Sequence, residues 1–121
     1  MNINKFTIKS QEALQQAQQI AQSFGQQQLE NEHIFKGILE VDENVTPFIL
    51  KKLNVNVELF KKVLDSTIQS FPKVSGGDIM FSREAGTTVN EAEIIAKKMN
   101  DEFVSIEHLI LAIFKSKSKV A

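Results

Sequence analysis

The chain has no cysteine, tryptophan or tyrosine, and only two prolines in 121 residues. Without cysteine there is no disulfide framework, no thiolate nucleophile and no cysteine-held zinc. Neither charge sign is in excess: 14 Lys and Arg stand against 15 Asp and Glu, a net charge of −1. That balance argues against a dedicated nucleic-acid or membrane-surface binder, which would carry a basic face. No apolar run approaches the ~18 residues of a membrane span. The opening MNINKFTIKSQE lacks the apolar stretch of a signal peptide, so the cytoplasm is the expected compartment. No Walker-type glycine-rich loop occurs, which excludes nucleotide hydrolysis by these residues. Strand signals are also scarce, with no sustained alternation and no tight hairpin turn.

Helical periodicity fills the space those absences leave. From Phe6 to Phe24 the apolar positions Ile8, Ala13, Leu14, Ala17, Ile20 and Ala21 recur at three-and-four spacing, with glutamines opposite. Gly25 supplies a left-handed residue that closes the helix. Ala13, Ala17 and Ala21 form a small-residue seam for close packing. A second helix is expected over about 31–41. A third follows Asn44, with Pro47 in its first turn, and is expected to bury Val45, Phe48, Ile49 and Leu53. A fourth presents Phe60, Val63, Leu64, Ile68 and Phe71. The lysine pairs 51–52, 61–62 and 97–98 belong on solvated faces. Pro72 and the Gly76-Gly77 pair then interrupt the pattern.

After that joint the sequence restarts. Sliding the chain by 75 places Phe6 on Phe81, Ala17 on Ala92, Ile20 on Ile95 and Ala21 on Ala96, with no gap. Glu32, His33 and Ile38 fall on Glu107, His108 and Ile113. Gly25 falls on Asn100, the two residue types that best tolerate a left-handed helix end. Gly37 falls on Ala112, keeping a small residue where helices approach closely. The expected fold is therefore an all-α, pseudo-twofold duplicated bundle of about six helices. Residues 6–71 form the first repeat, 72–80 the joint, 81–114 a shortened second repeat, and 115–121 a solvated tail. An equal second unit would extend to about residue 146, so the second repeat is expected to be truncated.

The segments FTIKSQEAL, LENEHIFKGIL, FPKVSGGD and DEFVSIEHLILAI, in that order, resemble the N-terminal domain of Clp-type AAA+ unfoldases. The PKVSGGD joint is most similar to the ClpB disaggregase branch. The resemblance covers the chain to about residue 114 and implies a binding domain rather than an enzyme. Its implied clients are unfolded or aggregated polypeptide, with an adaptor protein as a further partner. It places the domain ahead of two ATPase modules in a homohexameric ring. ATP and Mg would then belong to the parent protein, with no cofactor in this chain.

Several residues invite chemistry. Glu32 and Glu107, early in their helices, are favoured there by exposed N–H groups, at about 0.3–1 kcal/mol. A carboxylate at a groove rim could equally accept a donor from bound polypeptide. The resemblance implies client handling by Thr7, Asp101 and Glu107, with Val89 and Leu109 as apolar contributors to a groove. A ClpC-like alternative implies that Glu32 and Glu107 hold a phosphoarginine guanidinium while Thr7 and Ser82 hold its phosphate. Thr7 and Ser82 also read as ordinary helix caps, and Asp101 as part of a solvated turn. His33 and His108 could serve metal or acid–base chemistry, but packing early in each helix is the simpler reading. A free-standing helical adaptor or nucleic-acid-binding module, and a small hydrolase built on Glu32, Glu107 and the histidines, are the competing classes. The first requires a clustered basic face, the second convergence of these groups in one pocket.

Overall fold

The computed structural model describes residues 2–74 and 77–116. Gly76 of the joint and residues 117–121 of the expected tail lie outside the described residues. A short 3-10 turn (Ile3–Lys5) precedes α1 (Ile8–Ser23), β1 (Gln28–Leu29), α2 (Asn31–Val41), α3 (Val45–Lys52) and α4 (Val57–Gln69). Beyond the joint come β2 (Met80–Phe81), α5 (Arg83–Lys98) and α6 (Ile106–Lys115). The all-α expectation holds, with six α-helices among the described residues.

Local chemistry sets each boundary, and it recurs at an offset of 75. The Thr7 hydroxyl accepts the Ser10 N–H (3.1 Å) at the start of α1, and the Ser82 hydroxyl accepts the Ala85 N–H (3.1 Å) at the start of α5. Both helices end on a left-handed residue, Gly25 (φ 68°) and Asn100 (φ 58°). The following N–H groups, of Gln26 and Asp101, return to the carbonyls of Ala21 and Ala96, each at 2.9 Å. α1 packs on α2, and α5 on α6, by the same device. Gln16 Nε2 donates to Glu40 Oε2 (2.5 Å), and Lys115 Nζ donates to Glu91 Oε1 (2.6 Å).

The halves interlock through short extended segments. β1 and β2 pair in parallel, Leu29 opposite Phe81, and a parallel bridge joins Phe6 to Val104. The Ser82 N–H donates to Leu29 O (3.0 Å) and the Thr7 N–H to Val104 O (2.9 Å). Each unit thus lends its entry segment to the other. Two-residue strands carry no alternation to read, so the sequence gives no sign of this pairing.

Phe35, Ile34 and Ile38 of α2 meet Leu109 and Ile113 of α6 in a core with no solvent exposure. Phe35 sets its ring edge against Phe60 (centroids 5.2 Å apart), and α4 covers α2 with Leu64 and Ile68. The alanine seam of α1 is fully buried.

α3 corrects the sequence expectation. Thr46 and Leu50 are its buried residues, while Val45, Phe48 and Leu53 are about half exposed (46%, 59% and 56%). The cause lies at its start. The Asp42 carboxylate accepts the N–H groups of Asn44, Val45 and Thr46 and the Thr46 hydroxyl, at 2.8–3.1 Å. That clamp draws the Thr46–Leu50 side inward and turns the bulkier side out. Val63 of α4 is likewise exposed, against expectation. Among the described residues no helix is long and apolar enough to cross a membrane.

Candidate functional site

The interlocked segments bring helix N-termini together in pairs, α1 beside α6 and α5 beside α2. At the first pair Thr7 is half-buried, and its hydroxyl also donates to Ser10 Oγ (2.9 Å). Glu107 is the second residue of α6 and is exposed. At the second pair the equivalents are closed: Ser82 is 3% exposed and Glu32 7%. The two pairs therefore differ in access although their residue types match.

Each of α2 and α6 begins on a histidine used as a cap. The Glu30 N–H donates to His33 Nδ1 and the Ser105 N–H to His108 Nδ1, both at 2.8 Å. A backbone N–H can only donate, so each Nδ1 is unprotonated and the ring proton sits on Nε2. His33 Nε2 then faces Gln26 Oε1 (2.6 Å), and His108 Nε2 faces Asp101 Oδ2 (2.8 Å). Burial lowers the His33 pKa to about 4. Both histidines are buried and lie within these separate networks. No group of three or more His, Cys, Asp or Glu able to hold a metal occurs among the described residues. The signal for the caps stands in the sequence: Glu30 and Ser105 each precede their histidine by three, the spacing of a capping box with His in place of Glu or Gln.

An open groove of mixed apolar and polar lining, formed by two hollows that share Phe81, runs along α1 on one side and α5 on the other. Phe81, 37% exposed, stands between its two hollows. One, of about 370 Å³, sets Ile3, Leu14, Leu29 and Ile79 beside Gln11, Gln15 and Gln18. The other, of about 160 Å³, is lined by Gly86, Val89, Asn90 and Glu93. Ile3 is 40% exposed there, while Met80 (71% exposed) leaves β2 on the face opposite Phe81 and lines neither hollow. Val89 is at the floor of the second hollow, although only 3% exposed. Leu109 is not: with no exposed surface it belongs to the core, because α6 turns this residue onto α2 and α5. Ile3, Ile79 and Met80 escape sequence reasoning because they lie outside the helices, where periodicity gives no face. A larger hollow, about 1220 Å³, lies between the end of α2, α3 and α4, and mixes Phe48, Val55 and Val57 with Glu40, Glu43, Lys51 and Lys61. None of the candidate residues lines it.

Residues 5–121 match the family described as the Clp repeat (R) N-terminal domain. The chain belongs to this family, the N-domains of Clp-type chaperones. It is 50% identical over its whole length to the chaperone protein ClpB of Bacteroides thetaiotaomicron and 39% identical to that of Porphyromonas gingivalis. It spans 14% of the length of each. The N-terminal domain of Hsp104 from Candida albicans shares the fold, with a TM-score of 0.85 at 18% identity, over 93% of this chain and 75% of that one. So does a ClpV N-domain in complex with a VipB peptide, with a TM-score of 0.80 at 18% identity, over 98% of this chain and 75% of that one.

Proposed function

We propose that this Clp repeat domain recruits unfolded or aggregated polypeptide for a ClpB-like, ATP-dependent disaggregase, in the cytoplasm and without catalysis of its own. The observation that carries the reading is the α1–α5 groove, where Phe81, Ile3 and Ile79 offer apolar surface to an extended chain. Whole-length identity to ClpB chaperones supports the disaggregase parent, and the peptide-bound ClpV N-domain supports polypeptide as the ligand class. In the parent, two ATPase modules in a hexameric ring would use ATP and Mg to thread what this domain delivers. Thr7 and Glu107, at the paired starts of α1 and α6, are assigned polar contacts to the client, and Val89, only 3% exposed, backs the smaller hollow.

Affinity is expected to be weak. About a third of the Phe81 surface remains available, so its further burial contributes roughly 1 kcal/mol, before ordering costs. Weak capture suits a domain that must release its client. The ClpC-like alternative, phosphoarginine held by Thr7, Glu32, Ser82 and Glu107, is disfavoured because Glu32 and Ser82 are closed to solvent. Titration of a reduced, carboxymethylated, permanently unfolded protein tests the reading. Phe81→Ala is expected to weaken binding about fivefold, and Glu107→Ala to weaken it measurably. Equal affinity for all three proteins would overturn the site assignment.

A further inference from the structure

Family resemblance assigns Asp101 to client contact, but the bond that its carboxylate makes points elsewhere. Positions 26 and 101 occupy equivalent places. Each follows a left-handed residue, Gly25 or Asn100, and each N–H returns to an alanine carbonyl at 2.9 Å. The two side chains therefore leave the backbone in the same setting. Each reaches Nε2 of the histidine seven residues on, Gln26 to His33 at 2.6 Å and Asp101 to His108 at 2.8 Å. Each histidine gives its Nδ1 to the N–H that begins the next helix. An acceptor at position 26 or 101 holds the proton on Nε2 and so keeps Nδ1 free to cap.

The difference between the twins follows from burial. Gln26 is 3% exposed, and its Nε2 also donates to Ile68 O (2.6 Å) at the end of α4. A carboxylate there could not make that donation, and its charge would be buried. The Asp101 side chain is 48% exposed, so water solvates its charge, and no α4 equivalent among the described residues asks it for a donor. Exposure permits the carboxylate, and the cap requires only an acceptor.

We propose that Asp101 is a positioning residue. Its oxygen orients His108, which fixes the first turn of α6 and with it Glu107, between the cap Ser105 and His108. The client does not read the charge at 101. This rests on the client-capturing reading for its binding arm alone.

The test compares the wild-type chain with Asp101→Ala, Asp101→Asn and Asp101→Gln, the last copying the twin position. Imidazole nitrogen NMR reports the His108 tautomer, amide exchange reports the Ser105 N–H, and titration with a carboxymethylated unfolded protein reports binding. Asp101→Ala should lose the single-tautomer signature, lower Ser105 protection about tenfold, and weaken binding to the extent that Glu107→Ala does. Asp101→Asn and Asp101→Gln should restore all three. If both bind as poorly as Asp101→Ala while His108 and Ser105 stay as in wild type, the carboxylate contacts the client and the proposal falls. Unchanged His108 and Ser105 signals in Asp101→Ala would also overturn it. If Glu107→Ala and Phe81→Ala both bind like wild type, the client-capturing site fails instead. Positioning is then upheld by loss of the tautomer and exchange signatures in Asp101→Ala together with their return in Asn and Gln.

Discussion

Gly37→Ala sets two known quantities against each other. In an ordinary helix interior the change gains about 1 kcal/mol of propensity. Here a methyl at Gly37 would lie 2.4 Å from the Ala13 carbonyl oxygen and 3.0 Å from the Ala17 nitrogen. Both are backbone atoms of α1, so no side chain can rotate away. Relief requires α1 and α2 to part by about 1 Å, a gap that forfeits a quarter to a half of the local dispersion energy. Overpacking costs about 1–3 kcal/mol, and because both nearest atoms are backbone the cost here is in the upper part of that range, about 2–3 kcal/mol. The net expectation is a destabilisation of about 1–2 kcal/mol. In urea that lowers the unfolding midpoint by about 0.5–1 M at an unchanged slope. Ala112→Gly, at the equivalent place on α6, gives the comparison: it relieves nothing and costs about 1 kcal/mol of propensity. A Gly37→Ala midpoint equal to or above that of the wild type would refute the close-approach argument.

Acid should weaken the fold through His33. Its pKa falls from 6.5 unfolded to about 4 folded, so between those values the unfolded chain binds the extra proton and stability declines as pH drops. The full contribution is present above pH 6.5, and about 3 kcal/mol is lost on reaching pH 4. A urea midpoint that stays flat from pH 7 to 4.5 would contradict this. Asp42→Ala removes the clamp at the start of α3 and should cost about 1–2 kcal/mol, read by chemical denaturation. Burial opposes the ionised Asp42, yet hydrogen bonds from Thr46, Asn44 and Val45 outweigh it and hold the carboxyl below its usual value. Its contribution should therefore persist above the usual carboxylate range and be lost as pH falls through the lowered folded value. Asp42→Asn, with half the clamp intact, should fall between Ala and wild type.

The helices were legible because period 3.6 and the matched ends are local properties. Thr7, Ser82, Gly25 and Asn100 announce where α1 and α5 begin and end, and their agreement at one offset makes the internal correspondence visible. What escaped depends on partners distant in the chain. Nothing near Leu29 or Val104 says that Phe81 or Phe6 will pair with it. The α3 face was misread because apolar spacing alone cannot see Asp42 pull Thr46 inward. The histidines were placed correctly within helices, but their capping role rests on hydrogen bonding that spacing only hints at. Leu109 illustrates the same limit: its helix was visible, and which side of it met the core was not.

The central claim is that the α1–α5 groove, together with the start of α6, captures unfolded chain. Amide chemical-shift mapping during titration with a carboxymethylated unfolded protein tests it most directly. The account predicts graded shifts at Ile3, Ile79, Met80, Phe81 and Glu107. Shifts confined to Val45, Phe48 and Leu53, on the α3–α4 side, would contradict it.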